Sequence, residues 1–370
     1  MSSYRKTRVD IDLAALRHNA RLAKQKANGA FVMSAIKANA YGHGLIEAAN
    51  ALNDVVDEFA VASLDDVVHI RQALPTQKSL TITVLSGFYR KEEMDVAAKS
   101  NATLVVYDDH QLALLSSYGD ADDDLTTPLN IWLKVDTGMS RLGFPIESFQ
   151  QVTEKIESIP NVSVRGVISH FANSDVVGHE LNALQVEKFQ CLRKRYMGKK
   201  WHWSIANSGA LMSMPDVAFD WVRPGIMLYG SSPLGGRQAH ELGLKPVMTF
   251  KSEIISIRDV KKHESIGYGS HWTAQEDIRV GVIACGYGDG YPRVIQEGTP
   301  ILVNQQRTRI LGRVSMDLIV VDLNHICAEI GTEVTLWGEG LSVDEIAKSA
   351  GTIGYELLCS ITERVSRNYI

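Results

Sequence analysis

At 370 residues the chain is too long for one typical domain, although an α/β barrel by itself can occupy about 250 residues. A hydrophobic content of 45%, a charged content of 22% and a net charge of −5 are those of a globular protein, and they argue against a nucleic-acid surface. Cys191, Cys285, Cys327 and Cys359 lie far apart with no C-x-x-C pair, which argues against a structural metal or a disulfide framework and suits a reducing compartment. The opening MSSYRKTRVDIDL has no apolar run of signal-peptide length, and no stretch approaches the ~20 apolar residues that span a bilayer. The expectation is a cytoplasmic protein with no metal site and no nucleic-acid or membrane partner.

In chain order, Asp12 caps a first helix that places Leu13, Leu16, Ala20 and Ala23 on one face. Eight apolar, strand-like runs follow, at 31–36, 58–62, 80–86, 102–107, 130–136, 164–171, 202–207 and 222–230. Helical segments separate them. One opens on Ser63 with Asp66 three residues on, and one starts with Pro145. A third carries an apolar face through Leu181, Leu184 and Phe189. Asp122, Asp123 and Asp124 read as a solvated loop. Eight β-runs alternating with helices predict an α/β fold, a (β/α)8 TIM barrel. An open doubly wound sheet is the rival, but no Gly-rich dinucleotide fingerprint follows the first strand. Near Pro246 the texture changes to strands rich in Thr, Val and Ile, with one late helix between a Ser342/Glu345 capping box and Gly351. The expected division is a barrel over 12–243 and a C-terminal, mainly β domain over 244–370, with residues 1–11 pairing with the latter.

The chemistry concentrates first in FVMSAIKANAYGHG, residues 31–44, which reads as a buried strand ending in Lys37 and then a tight loop. A lysine half sunk at a strand end loses solvation, which depresses its pKa and frees the amine for Schiff-base chemistry. The other reading of this stretch alone is a stem lying along the strand with its ammonium in water. Functional groups of a barrel belong at the C-terminal strand ends. There the pattern puts Lys37, Asp136, His170, Asn207 with Ser208, and Arg223 with Gly225, all on one rim.

AIKANAYGHG resembles the pyridoxal-phosphate lysine motif of alanine racemases. The resemblance continues through KVDTGMSRLG, SHFANSD, ANSGALM, RPGIMLYG, IGYG, GYGDGYPR, GRVSMD and GTIGYELLCS, in the family's order from residue 35 to 360. It implies interconversion of L- and D-alanine by two bases on a pyridoxal 5'-phosphate Schiff base, supplying D-alanine for peptidoglycan. A broader amino-acid racemase, acting for example on serine, is the alternative. Lys37 would hold the cofactor and serve as one base, and Tyr268 as the other. Arg223 would face the pyridine nitrogen, with His170 linking it towards Tyr268. Tyr41, Ser208, the amides of Gly225 and Ile226, and Tyr355 would take the phosphate. Arg141 would take the substrate carboxylate, beside Lys134 as a site of carbamylation. Met316, Asp317 and Tyr268 would come from the neighbouring subunit, with Tyr287 guarding the entrance, in a homodimer with shared active sites. Gly209, Gly267, Gly288, Ser315 and Gly354 depart from the commonest family residues, which implies a looser pocket.

Overall fold

The computed structural model describes residues 5–75, 80–119 and 128–370, so the Asp122–Asp124 run lies outside the described residues. After a short strand β1 (Arg8–Ile11) and a helix capped by Asp12, which accepts from Ala15 N at 2.8 Å, the chain enters the barrel. Its strands are β2 (Phe31–Ala35), β3 (Glu58–Val61), β4 (Ile82–Val84), β5 (Ala102–Val106), β6 (Leu129–Lys134), β7 (Val162–Ile168), β8 (His202–Asn207) and β9 (Trp221–Arg223). All pair in parallel, and β9 returns to β2 through Phe31 and Trp221 to close the ring. The run at 222–230 is thus a strand only to Arg223. Pro224 offers no N–H to a ladder, and Ile226–Tyr229 turn as a single 3-10 segment.

The barrel interior is packed with Met33, Ala60, Val105, Trp132, Ile168 and Trp221. Towards the N-terminal strand ends, fully buried Glu58 pairs with Arg165 at 2.5 Å, and that guanidinium lies 5.4 Å from the ring of Trp132 and 4.7 Å from that of Trp221. Burial raises the pKa of Glu58, and the Arg165 charge opposes the shift.

Three helical details differ from the sequence reading. The helix expected from Pro145 begins at Phe149. Helix Glu180–Arg195 buries Asn182, Gln185, Phe189 and Leu192 and exposes Leu184, because its two polar residues are needed under the rim loops. The cap at Ser342 accepts from Asp344 N at 3.1 Å, while Glu345 pairs with Arg307 instead of closing a capping box. A second late helix, Gly354–Cys359, follows.

The rest of the chain forms β10 (Met248–Val260), β11 (Ser265–Ile266), β12 (Trp272–Thr273), β13 (Ile278–Ile283), β14 (Pro300–Val303), β15 (Gln306–Leu311), β16 (Ile319–Asp322), β17 (Glu333–Trp337) and β18 (Ser366–Tyr369). The large sheet runs β13-β16-β15-β14-β17-β10-β1-β18. Long β10 pairs with β17 in its first half and with β13 in its second, so the sheet curls back on itself. β1 lies between β10, antiparallel, and β18, parallel. This sheet and the Gly354–Cys359 helix are what the barrel rim leans against.

Candidate active site

The C-terminal rim of the barrel opens into a cavity of about 510 Å³. Lys37, Lys134, Arg141, His170, Asn207, Ser208, Arg223, Gly225, Ile226, Tyr41 and Tyr355 all line it, together with Cys359. Four cationic side chains therefore share one cavity. The neighbouring carboxylate, Asp136, is committed elsewhere, because it accepts from the amides of Gly138 at 2.8 Å, Met139 at 2.9 Å and Ser140 at 3.1 Å. Those bonds fold the loop that brings Arg141 to the rim. A cavity with this donor set fits an anionic ligand.

Lys37 begins an unusual piece of backbone. Ala38, Asn39, Ala40 and Tyr41 all have φ between +52° and +54°, one turn of left-handed helix without a glycine. Each such residue costs an L-amino acid ~1–2 kcal/mol, so the tertiary structure has to hold the turn in place. It does so from several sides. Tyr229 stacks on Tyr41 at 4.6 Å and donates to Ala35 O at 2.9 Å. Asn39 Oδ1 accepts from Leu45 N at 2.8 Å. From the β domain, Arg367 Nε donates to Gly42 O at 2.9 Å, and Gly42 packs so closely on the Leu358 carbonyl that a Cβ would run into it. Burial lowers the pKa of Lys37, and the Arg141 charge lowers it further. Its amine is reached by water through the open cavity, and partial loss of hydration to the walls makes it easier to deprotonate than a free lysine.

Arg223 lies at the base of the cavity, fully desolvated, and burial pulls its pKa down to about 9, so it remains a cation at neutral pH. Its Nη1 donates to Ser204 Oγ at 2.5 Å and its Nη2 to Ser169 O. Nη2 also lies 3.3 Å from His170 Nδ1. Since an arginine can only donate, Nδ1 is the acceptor and His170 carries its proton on Nε2. Burial, then the charges of Arg223, Lys134, Arg141 and Lys37, hold His170 neutral, well below the usual range. The same causes, burial first and then Arg223, Arg141 and Lys37, lower Lys134 to about 8.

At the other side of the cavity, Ser208 Oγ accepts from Gly225 N at 2.8 Å and Met227 N at 3.4 Å. A hydroxyl receiving two amides keeps its own proton to donate. A Cβ on Gly225 would lie 2.5 Å from the Tyr41 hydroxyl, so only glycine leaves this cradle open. Burial raises Tyr41, and raises Tyr355 to about 12; both therefore remain neutral donors.

Sequence reasoning passed over Gln185, which donates to His170 O at 2.9 Å and to Thr137 Oγ1 at 3.2 Å and so ties two rim loops together. Its signal was the i, i+3 pair Asn182 and Gln185 on the face that also carries Phe189. Ser169, Ser204 and Cys359 carried no sequence signal, since each acquires its neighbours only on closure of the barrel or docking of the β domain.

Tyr268, Tyr287, Met316 and Asp317 are not among the residues lining the cavity of their own chain. They share one face of the β domain. Tyr287 N donates to Ser315 O at 3.1 Å and Gly288 N to Met316 O at 2.9 Å, while Asp317 pairs with Arg364. Tyr268 stands on the adjoining turn, 73% exposed, between Gly267 and Gly269. Three of the glycines that depart from the family pattern are closely packed, whereas a Cβ on Gly267 would meet nothing nearer than Arg313 N and O at 3.9 Å. A Cβ on Gly209 would lie 2.7 Å from Ser174 Oγ, and one on Gly354 2.5 Å from Ser231 Oγ. One on Gly288 would lie 3.0 Å from Arg364 Nη1. At Gly209, Gly288 and Gly354 neighbouring atoms already occupy the space a Cβ would take.

Fold and site together define a barrel enzyme with a lysine amine and three further cationic side chains at its rim. Residues 11–233 match the family model described as alanine racemase, N-terminal domain, and residues 247–369 that described as alanine racemase, C-terminal domain. The alanine racemase of Hahella chejuensis is 45% identical over 371 residues, spanning 99% of this chain and 98% of the relative. The biosynthetic alanine racemase of Pseudomonas aeruginosa is 43% identical over 360 residues, 97% of this chain and 98% of its own. Among solved structures, that of a biosynthetic alanine racemase from P. aeruginosa superposes with a TM-score of 0.92 at 42% identity, covering 99% of both chains. That of alanine racemase from Acinetobacter baumannii gives 0.92 at 37% identity, covering 99% of this chain and 100% of the other. The chain belongs to the alanine racemase family, an isomerase family acting on amino acids.

Proposed function

We propose that this enzyme interconverts L- and D-alanine with pyridoxal 5'-phosphate. The observation that carries the reading is the Lys37 amine in a cavity it shares with Lys134, Arg141 and Arg223, with no carboxylate among the described lining residues. A phosphorylated aromatic aldehyde answers that donor set: Lys37 for the aldehyde, and Tyr41, Ser208, Tyr355 and the amides of Gly225 and Ile226 for the phosphate. When bound, the cofactor supplies the electron sink that acidifies the α-hydrogen of an amino acid. The remaining work falls to the protein. Arg223 presents a proton that it does not give up, which keeps the sink weak and favours prompt return of the α-proton. Arg141 binds the substrate carboxylate. Lys134, carbamylated, would place an anion beside Arg141 and hold its guanidinium in position. Lys37 takes or returns the α-proton on one face of the substrate.

The opposite face needs a second base, and Tyr268 is the proposed one. Exposed on its own chain, it would enter the cavity of a second copy together with Met316 and Asp317, with Tyr287 at the mouth; this makes the working unit a homodimer. His170, with its proton on Nε2, would extend the Arg223 bond towards that tyrosine. No helix among the described residues is long and apolar enough to cross a membrane, and the four cysteines are free. We place the enzyme in the cytoplasm, making D-alanine for peptidoglycan. The test is deuterium uptake at the α-carbon of each alanine enantiomer in heavy water, with product chirality recorded. Tyr268→Phe should slow proton abstraction from L-alanine more than from D-alanine, and equal losses would overturn the division of roles.

A further inference from the structure

His43 is 1% exposed and no step of the proposed reaction uses it. Its Nδ1 lies 3.0 Å from Ala40 O and 2.9 Å from Tyr41 O, the last two carbonyls of the left-handed turn. Both are acceptors, so Nδ1 bears the hydrogen and is shared between them. Nε2 is buried and has no hydrogen-bond partner among the described residues. The ring packs at a tilt against Tyr229, with centroids 4.7 Å apart, and Tyr229 stacks in turn on Tyr41. Burial holds His43 down to about 4, and the Arg367 charge adds to this against the two carbonyls, so the ring stays neutral wherever the enzyme would work. A neutral imidazole locked in one tautomer, with its second nitrogen idle, serves as a fixed donor and not as a titrating group.

We infer that His43 is a positioning residue: its Nδ1 hydrogen holds the left-handed turn from Ala38 to Tyr41, and through it the placement of Lys37 and Tyr41 in the cavity. This rests on Lys37 being the reactive amine. The turn is strained at every residue; Ala38 O, Asn39 O and Ala40 O accept from the amides of Gly42, Gly44 and His43, while Tyr41 O relies on His43 Nδ1 as its donor among the described residues. Without that donor the turn relaxes towards the right-handed region, and Lys37 leaves the desolvating walls and the neighbourhood of Arg141.

The two nitrogens allow a matched pair of substitutions. His43→Asn places an amide N–H near the Nδ1 position, and His43→Gln places it near Nε2. The readout is the pH dependence of Lys37 acylation by acetic anhydride, followed by mass spectrometry against exposed lysines. The full chain is used, after hydroxylamine has released any bound aldehyde. In the parent chain and in His43→Asn the midpoint of Lys37 should lie together, below that of exposed lysines. In His43→Gln it should rise by about one pH unit, which lowers labelling at pH ~8 about tenfold. Equal midpoints in all three proteins, or equal shifts in the two variants, would overturn the inference. Should the Gln variant fail to fold, the Asn variant decides: a retained midpoint supports the role and a raised one refutes it. A chain that behaves as expected here but binds no pyridoxal phosphate would defeat the proposed function and leave the positioning role intact.

Discussion

Gly42→Ala perturbs the site without touching a ligand. Gly42 has φ of +82°, where an alanine costs ~1–2 kcal/mol. The added Cβ would meet the carbonyl oxygen of Leu358 well inside van der Waals contact and lie 3.2 Å from its carbon. That obstacle is backbone and cannot rotate aside, so the Gly354–Cys359 helix has to back away; overpacking of this kind costs ~1–3 kcal/mol. The combined loss of ~2–5 kcal/mol is a large part of a typical stability of about 5–15 kcal/mol. Tyr355 and Cys359 ride on the displaced helix, so affinity for pyridoxal phosphate should fall as well, by ~10-fold if one hydrogen bond to the phosphate is lost. Urea unfolding gives the first quantity and equilibrium titration with the cofactor the second. A loss below ~0.5 kcal/mol with unchanged affinity would show that the β domain does not clamp the lysine turn.

Arg165→Met strands the buried Glu58 carboxylate and should cost ~3–5 kcal/mol at pH ~8. Burial already raises Glu58 above its unfolded value, and loss of the guanidinium raises it further, so stability declines as pH climbs between the unfolded and folded pKa values. The deficit should therefore shrink towards pH ~5, and equal urea midpoint losses at both pH values would refute the pairing. Lys134, lowered to about 8, is a cation below that pH and a free amine above it. At fixed dissolved carbon dioxide, its labelling by isotopic carbon dioxide, read by carbon NMR, should grow as pH rises through about 8 and vanish in Lys134→Arg; a signal indifferent to pH would count against carbamylation at this residue.

The barrel was legible because period and position agree: apolar runs such as FVMSA and ATLVV are buried on both faces, and the polar residues that follow them land on one rim. Lys37, His170 and Arg223 could be placed for that reason. The left-handed turn after Lys37 could not, because Ala38–Tyr41 contains no glycine to announce positive φ; the contacts that impose it come from Tyr229, Arg367 and Leu358, roughly 190 to 330 residues away. Leu184 misled for a related reason. An apolar residue on the outer face of a helix looks like core until tertiary contacts show that Asn182 and Gln185 face inward. The run at 222–230 failed locally, since Pro224 ends a strand whatever its hydrophobicity.

The neighbours of β1 bear on how the polypeptide is made. Its four residues are translated before the whole barrel, yet β10 and β18, which border it on either side, are separated from it by roughly 240 and 350 residues. At about 5–20 residues per second, that segment waits roughly 10–50 s for its first partner and longer for its second. Over that interval a complete barrel can be translated and collapse, whereas the sheet beside it has to stay unfinished. The nascent barrel therefore has to tolerate an unpaired β1, and the β domain closes only when β1 and β18 meet.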